Sequence, residues 1–362
     1  MFADLLVPSH DDMTKLHLFN PEHDIALAAN LAHFTAPLAG RQLRADLAYL
    51  PALWADEDDY VLVEQVEQAQ RGYESLRQLM NRPQAQFIHR HELSRLPIEQ
   101  VEPWGWDAAV ATDLRRWGIS EDIMPSASLL EHYRQLSHRR TSAQLLPLLQ
   151  CEGTVGESFE CHTEEEIRLL LERYGRLVLK APWSSSGRGL RFVNSTTFTT
   201  HQSGWLRNLF ATQGSVMAEP FFDKEKDFGM EFYAGEDGSI RYLGLSLFHT
   251  ANGAYTGNIL ATENNKREMI SRYISIELLD SVKEKICSSL PAILKGGYTG
   301  PFGVDMMVVK GERFLLHPCV EINLRRTMGH VALALTPTDD EMVRVMRIEF
   351  ADGRYKMKVE RV

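Results

Sequence analysis

The chain has 362 residues, 44% of them hydrophobic and 24% charged, with a formal net charge of -10 and a pI near 5.7. That length suggests two or three domains with ordinary cores, and the composition excludes a disordered chain. The acidic balance argues against nucleic acid as the main partner while leaving room for a local basic site on one small anion. Cys151, Cys161, Cys287 and Cys319 show no metal-binding spacing and fit a reducing compartment. Residues 1 to 13 include Asp4, His10, Asp11 and Asp12 and lack a leader pattern. No apolar run approaches the roughly 20 residues of a membrane helix, so a cytoplasmic protein is expected.

In chain order, Lys15 to Phe19 reads as a first strand that runs into Asn20-Pro21-Glu22-His23-Asp24. Polar groups at the carboxyl end of a strand are where open α/β sheets bind ligands. Asn20 and Pro21 set a turn and Asp24 is expected to cap a helix from Ile25 to Leu31, which leaves Glu22 and His23 unexplained. A helix from Leu43 to Leu50, a strand from Tyr60 to Val63, a helix from Tyr73 to Met80 and a strand from Ala85 to His89 follow. This alternation predicts a small, mostly parallel sheet through about residue 120. Pro103 to Asp107 opens a helix from Ala108 to Trp117, with its tryptophans in packing roles.

Residues 125 to 151 read as helical, and either Arg139 or Arg140 is placed to aim a guanidinium at a phosphate. Thr163 and Glu166 form a capping box for a helix from Glu164 to Arg173. Arg176 to Lys180 is a strand ending in lysine. It leads through Ser184, Ser185, Ser186, Gly187 and Gly189 to a strand from Leu190 to Val193. Small hydroxyl and glycine residues let backbone N-H groups close on phosphate oxygens, with the lysine neutralising charge; a solvated hairpin tip is the alternative. The loop joins two strands, so it is neither a P-loop nor a Rossmann turn. Ser215 to Phe222 is a further strand whose backbone suits the edge of a base. Pro220 has no N-H, so the donor falls to Phe221 or Phe222, and Asp227 could accept from ribose hydroxyls. Core packing is the commoner role for such aromatics.

His249 to Asn258 reads as a loop, substrate-facing or simply exposed, and Lys266 and Arg267 as surface residues. Asp280 to Leu290 is a packing helix. Gly300 to Val309 and Phe314 to Val320 then read as paired strands, continued by Glu321-Ile322-Asn323-Leu324-Arg325. Glu321 and Asn323 are two apart and share a strand face. With Asp305 they make an oxygen set suited to Mg2+, a hard ion that completes its shell from water and phosphates; strand-end carboxylates facing water are the plainer reading. Val343 to Phe350 and Tyr355 to Val359, around Asp352-Gly353, look like a terminal hairpin.

Taken together, residues 125 to 335 resemble the ATP-grasp superfamily, on Arg139 or Arg140, Lys180 with the Ser/Gly loop, Glu219 to Phe222, Asp227, and the set Asp305, Glu321, Asn323 and Arg325. The resemblance implies a mixed α/β protein: a small N-terminal pre-ATP-grasp α/β domain over 1-124, a lid subdomain over 125-212 and a metal-bearing C-terminal subdomain over 213-362. It implies ATP held by Arg139, Lys180, Ser185, Ser186, Gly187, Gly189, Glu219, Phe221, Phe222 and Asp227. It also implies Mg2+, with Mn2+ as a substitute, on Asp305, Glu321 and Asn323. Lys180 and Arg325 are the implied catalytic residues, and Glu22, His23 and Asn258 the implied substrate contacts. The implied reaction is ADP-forming ligation: a small-molecule or peptide carboxylate becomes an acyl phosphate that an amine or thiol captures. A small-molecule kinase of the same fold and a nucleotide-binding module without turnover are the alternatives. No membrane or nucleic-acid partner is expected, and a homodimer is the ordinary expectation for association. Two features depart from the family. Arginine stands where the first basic residue is usually lysine, and Asp305 to Glu321 is about three residues too long unless the strand bulges, most naturally at Pro318.

Overall fold

The computed structural model describes residues 13-80, 85-184, 189-251 and 254-361. It is a mixed α/β protein in two compact units. One comprises Met1–His132, Gly257–Thr262 and Arg325–Val362, and the other Tyr133–Thr256 and Glu263–Leu324. Among the described residues no helix is long and apolar enough to cross a membrane.

In the first unit, the strands Gln86–Ile88, Tyr60–Leu62, Lys15–Leu18 and Gln100–Pro103 lie side by side in that order, all parallel. Alternation along them sends Leu16, Leu18 and Val101 into one core with Val110 and Leu114, and Phe19, Val61 and Val63 into another. The expected parallel sheet is therefore present. Its fourth strand, Gln-Val-Glu-Pro, has too little apolar character to stand out in the sequence. Two helices are displaced from their expected spans. The first is Leu38–Leu47, and the chain then tightens into a single 3-10 turn at Leu50–Leu53, because Pro51 has no N-H to continue the ladder. The second is Val66–Arg77, whose inward stripe Val66, Ala69, Tyr73 and Leu76 follows helical spacing and begins well before Tyr73.

Asp24 is not a cap. The helix is His23–Ala29, with Asp24 inside its first turn and no side-chain bond at the cap position. Asp107 does cap Ala108–Arg116, accepting from the N-H groups of Ala109 and Val110 at 2.9 Å each. Residues 325-362 cluster with this unit because Val331, Leu335, Met346 and Met357 share a core with Phe19, Leu50, Leu53 and Trp104. Their hairpin, Arg344–Ala351 with Arg354–Arg361, turns at Asp352 and Gly353, both at positive φ, as a two-residue Asp-Gly connection requires. The segment expected as a loop is largely strand, Phe248–Ala251 and Ala254–Leu260. Gly257 there passes so close to its neighbour that a Cβ would lie 2.2 Å from the Met346 carbonyl oxygen.

The second unit holds two antiparallel sheets. One orders Phe159–Cys161, Val216–Pro220, Leu177–Lys180 and Leu190–Val193. It is covered by Glu164–Tyr174, with its Thr163 and Glu166 capping box, and by Thr200–Gln213. A boundary at residue 212 would separate Val216–Pro220 from the strand it pairs with. The other sheet orders Ile240–Ser246, Lys224–Ala234, Gly300–Val309 and Leu315–Asn323. The helix expected from Asp280 to Leu290 extends over Ile276–Leu294. Lys266, read from sequence as surface, is buried; its ammonium donates to the Leu245 carbonyl at 2.7 Å and pairs with Glu263 at 3.3 Å. Arg267 makes a two-pronged pair with Asp280. Asp280 and Leu245 lie too far along the chain for local spacing to show them as partners, whereas Glu263 stands three residues before Lys266 on one helix turn.

Asp107 also takes hydrogen bonds from His23 Nδ1 at 3.1 Å and Asn20 Nδ2 at 3.3 Å. Asp107→Ala removes a cap and leaves buried partners unmatched, so urea denaturation is expected to show a loss of roughly 2 to 4 kcal/mol. Asp113→Ala, at an exposed ion pair of the same helix, should change stability by less than about 1 kcal/mol.

Candidate functional site

In the second unit the Gly300–Val309 and Leu315–Asn323 strands set Asp305 directly opposite Glu321, with Gly303 opposite Asn323. The ladder resumes with Met307 opposite His317, so two steps on one strand are matched by four on the other. The surplus is taken up at Pro318, Cys319 and Val320, the place where a residue without an N-H disturbs the ladder least. This bulge brings the two acids into register. Asn323 Nδ2 donates to Asp305 Oδ2 at 3.0 Å, which turns its amide oxygen away from that carboxylate. Like charges directly opposed on a sheet repel, and Arg139 offsets them: its Nη2 lies 2.7 Å from Glu321 Oε1. Among the described residues no three His, Cys, Asp or Glu side chains form a self-sufficient metal cage. The two carboxylates fit Mg2+, which draws the rest of its shell from water and phosphate, and the Asn323 amide would join them by turning its oxygen toward Asp305.

Arg139 is positioned by the break between the Ala127–Leu136 and Arg140–Leu149 helices. It is buried, and its Nη1 also donates to the Ala181 carbonyl at 2.5 Å and to Ser184 Oγ at 2.9 Å. Arg140 instead pairs with Glu160 at 3.3 Å, which leaves Arg139 as the cation at the hairpin. Lys180, at the end of its strand, is buried with Nζ 2.6 Å from Glu219 Oε2 and 3.4 Å from the Val320 carbonyl. Ser158 donates to the other Glu219 oxygen at 3.2 Å. The loop after Lys180 closes at its base, where Ala181 N-H meets the Gly189 carbonyl at 2.8 Å and a Cβ on Gly189 would collide with Ser184. Ser185, Ser186 and Gly187 lie outside the described residues. Trp183, not singled out in the sequence, anchors the loop: its indole donates to the Arg134 carbonyl at 2.9 Å and stacks under the Arg134 guanidinium at 3.8 Å.

Along the next strand the Phe221 N-H is already bonded to the Arg176 carbonyl at 3.0 Å, and the Phe221 ring packs under Arg176 and against Phe192. Of the two expected donors to a base edge, Phe222 is thus the better placed. Asp227 accepts from Lys224 at 2.5 Å and from Thr250 Oγ1 at 2.8 Å, both through Oδ2. His317 was missed from the sequence, where its only signal is an imidazole in an otherwise apolar strand. It is buried, its ring 5.9 Å from that of Phe222, and among the described residues no other residue hydrogen-bonds to either ring nitrogen.

In the first unit, the strand-end residues are spent as follows. Asn20 and His23 hold Gly105 and Asp107, with the His23 ring so close to Gly105 that a Cβ there would lie 2.7 Å away. Glu22 pairs with Arg44; burial raises its carboxyl above the usual range against the opposing pull of that guanidinium, and its Oε2 has no partner among the described residues. Asp24 clamps Arg325 with two bonds of 2.8 Å. Asn258 is fully buried within its strand, opposite Met346.

No protein-family model matches the chain, and no curated protein matches it in sequence. Solved structures do resemble it. N5-carboxyaminoimidazole synthetase from Staphylococcus aureus complexed with ADP is 13% identical, with 93% of this chain and 82% of that one covered and a TM-score of 0.48. The Aspergillus clavatus synthase with ADP and 5-aminoimidazole ribonucleotide is 13% identical over 93% and 82%, with a TM-score of 0.47. Biotin carboxylase from Campylobacter jejuni, in a beta-gamma-ATP complex, is 13% identical over 92% and 75%, also at 0.47. Likenesses of this degree assign neither a residue nor a reaction to this chain.

Burial pushes His317 down to about 4, and burial with Arg140, Arg134 and Arg139 pushes His138 down to about 3. Both are neutral when folded and regain the ordinary value of 6.5 when unfolded, so between these values the unfolded chain binds more protons. The stability they confer is complete above pH 6.5 and lost as pH falls toward 4 and 3. For His317 the span is on the order of 3 kcal/mol. Urea midpoints measured from pH 7 to pH 4.5 should fall, and less steeply in His317→Phe; identical slopes would contradict this reading.

Proposed function

We propose that this chain is an ATP-grasp ligase, which converts a small-molecule or peptide carboxylate to an acyl phosphate, releases ADP, and passes the acyl group to an amine or thiol. The observation that carries the reading is the register of Asp305 against Glu321, beside Asn323, with the cations of Arg139 and Lys180 reaching the same hairpin at Glu321 and Val320. Two opposed carboxylates on a sheet are a poor structural choice and a good metal-holding one.

Mg2+ would be held by Asp305, Glu321 and Asn323, and when bound would neutralise charge on bridging phosphate oxygens. Lys180 and Arg139 would offset the remaining phosphate charge. Each now rests on a carboxylate, Glu219 or Glu321. A polyanionic phosphate chain is a stronger partner for both cations, and by taking Arg139 it releases Glu321 for the metal. Phe222 N-H would meet the base edge, and Asp227 Oδ1 a ribose hydroxyl, since the bonds from Lys224 and Thr250 both use Oδ2. The Ser185 to Gly189 loop would cover the phosphates and exclude water, which protects an acyl phosphate from hydrolysis.

Arg325 would bind the acceptor carboxylate or the tetrahedral oxyanion, and the two bonds from Asp24 fix the plane in which its guanidinium presents. His23, committed to Asp107, would act by holding the Asn20 to Asp24 turn in shape, and Glu22 by offering Oε2 to a substrate donor. Asn258, buried in its strand, would take part through the backbone geometry it sets.

The test is ADP release from Mg2+ and ATP across a panel of carboxylates, each with and without amines and thiols. Asp305→Asn and Glu321→Gln should each lower turnover on the order of 100-fold or more while ADP still binds. Unchanged turnover in either would remove the metal assignment. ADP release that needs no amine or thiol and leaves a stable phosphorylated product would identify kinase chemistry instead.

Arg325→Lys keeps the charge but cannot reproduce the two-pronged bond to Asp24. Turnover is expected to drop at least about tenfold, with ADP affinity within about twofold of the parent chain. A matching loss of ADP affinity would place Arg325 at the nucleotide instead.

A further inference from the structure

The Leu190–Val193 strand is the outermost of its sheet and pairs with Leu177–Lys180. Alternation turns Val193 into the core beneath the two covering helices and Phe192 to the opposite face, where it is 63% exposed. Phe192 stands opposite Val178 and Val178 opposite Glu219; the next row is Leu190, Lys180 and Met217. Residues so opposed share a face. Phe192 therefore belongs to the face that carries Lys180 and Glu219, one strand across and two residues along from the lysine. That offset sets their Cα atoms roughly 8 Å apart, a span that a ribose bridges between a base and its phosphates.

A large aromatic open to water on an outer strand is a hazard, because strand edges invite other chains and proteins usually blunt them with charge. Packing gives it little in return: the Phe192 ring meets that of Phe221 at 5.9 Å and 74°, and more than half of the residue stays in water. Phe221 is itself held, with the Arg176 guanidinium 3.8 Å over its ring and its N-H on the Arg176 carbonyl. An edge-on contact uses at most one face of Phe192, so the other remains for a flat ligand. Val178 and Leu190, half-buried beside it, extend the apolar ground toward Lys180. Phe221 also immediately precedes Phe222, whose N-H is the candidate contact to a base edge.

We infer that Phe192 is a specificity-determining residue of the nucleotide site, the aromatic platform on which a purine base stacks while its phosphates reach Lys180. The inference rests on the nucleotide reading given above and adds to it the side chain that favours a two-ring base. Stacking on an aromatic face grows with the overlap of the two ring systems, so a pyrimidine gains less from the same platform. The exposure of Phe192 in the free protein is then the exposure of a surface that the base covers.

The experiment is calorimetric titration of the whole chain with ADP in the presence of Mg2+, with UDP and inorganic diphosphate measured by competition. Phe192→Ala should lose roughly tenfold in ADP affinity, the order that base-aromatic stacking supplies, less for UDP, and under about twofold for diphosphate. Phe192→Trp should restore ADP binding. Because the side chain is exposed, the thermal midpoint of Phe192→Ala should barely move. Unchanged ADP affinity in Phe192→Ala, or a loss for ADP matched by UDP or by diphosphate, overturns the inference. So does a fall in oligomeric state on sedimentation with ADP affinity intact, which gives Phe192 to a second copy of the chain instead. If the parent chain binds neither ADP nor diphosphate, the nucleotide reading falls and takes this inference with it; if it binds ADP and all three chains bind it alike, the inference alone falls.

Discussion

Arg139 is the constraint on which the second unit's chemistry depends. From the gap between two helices its guanidinium reaches the Ala181 carbonyl and Ser184 hydroxyl, in the loop after the Leu177–Lys180 strand, and the Glu321 carboxylate on the Leu315–Asn323 strand. A buried guanidinium needs its charge and most of its donors matched, and here Nη1 is matched from the loop after Lys180 and Nη2 from the acidic hairpin, while Nε has no partner among the described residues. Lys180 repeats the pattern with Glu219 and the Val320 carbonyl. The ion pairs thus hold the Ser/Gly loop's base and the acidic hairpin in one electrostatic system, in which anionic phosphate and a divalent cation would exchange for carboxylate and guanidinium. Breaking either pair by removing one partner leaves an uncompensated buried charge, which is costly.

The bulge at Pro318 is the geometric counterpart of that charge system. Without it, four residues on one strand could not be spanned by two on the other, and Asp305 would not face Glu321. This much was legible in the sequence, because the excess length between the two acids and the proline between them together name the place where the ladder must yield. The parallel sheet, the Thr163 capping box and the terminal Asp-Gly hairpin were legible for similar reasons, each resting on local periodicity or turn chemistry. The choice of Arg139 over Arg140 was not, since it depends on which of two adjacent side chains the helix break turns inward.

Other features were hidden because their partners are far apart in the chain. Asp24 looks like a helix cap beside its own helix, yet its carboxylate is taken by Arg325, 301 residues away. Lys266 looks like a surface lysine, but the Leu245 carbonyl, distant in sequence, draws its ammonium inside. The C-terminal segment gives no sign in its own residues that Met346 and Met357 complete the core beneath the first sheet. His17 and Asp59 likewise join at 2.9 Å across two strands, with Arg326 closing on Glu102 at 3.0 Å and lying over Trp54, a polar cluster on the sheet face that no local pattern announces.

The account stands on a divalent cation shared between the acidic hairpin and a nucleotide. Electron paramagnetic resonance of free Mn2+ tests this without knowledge of the substrates, because bound Mn2+ loses its sharp solution signal. The account predicts that the parent chain with ADP withdraws Mn2+ from solution well beyond what ADP alone binds, and that a chain carrying both Asp305→Asn and Glu321→Gln does not. Equal withdrawal by the two chains would contradict it.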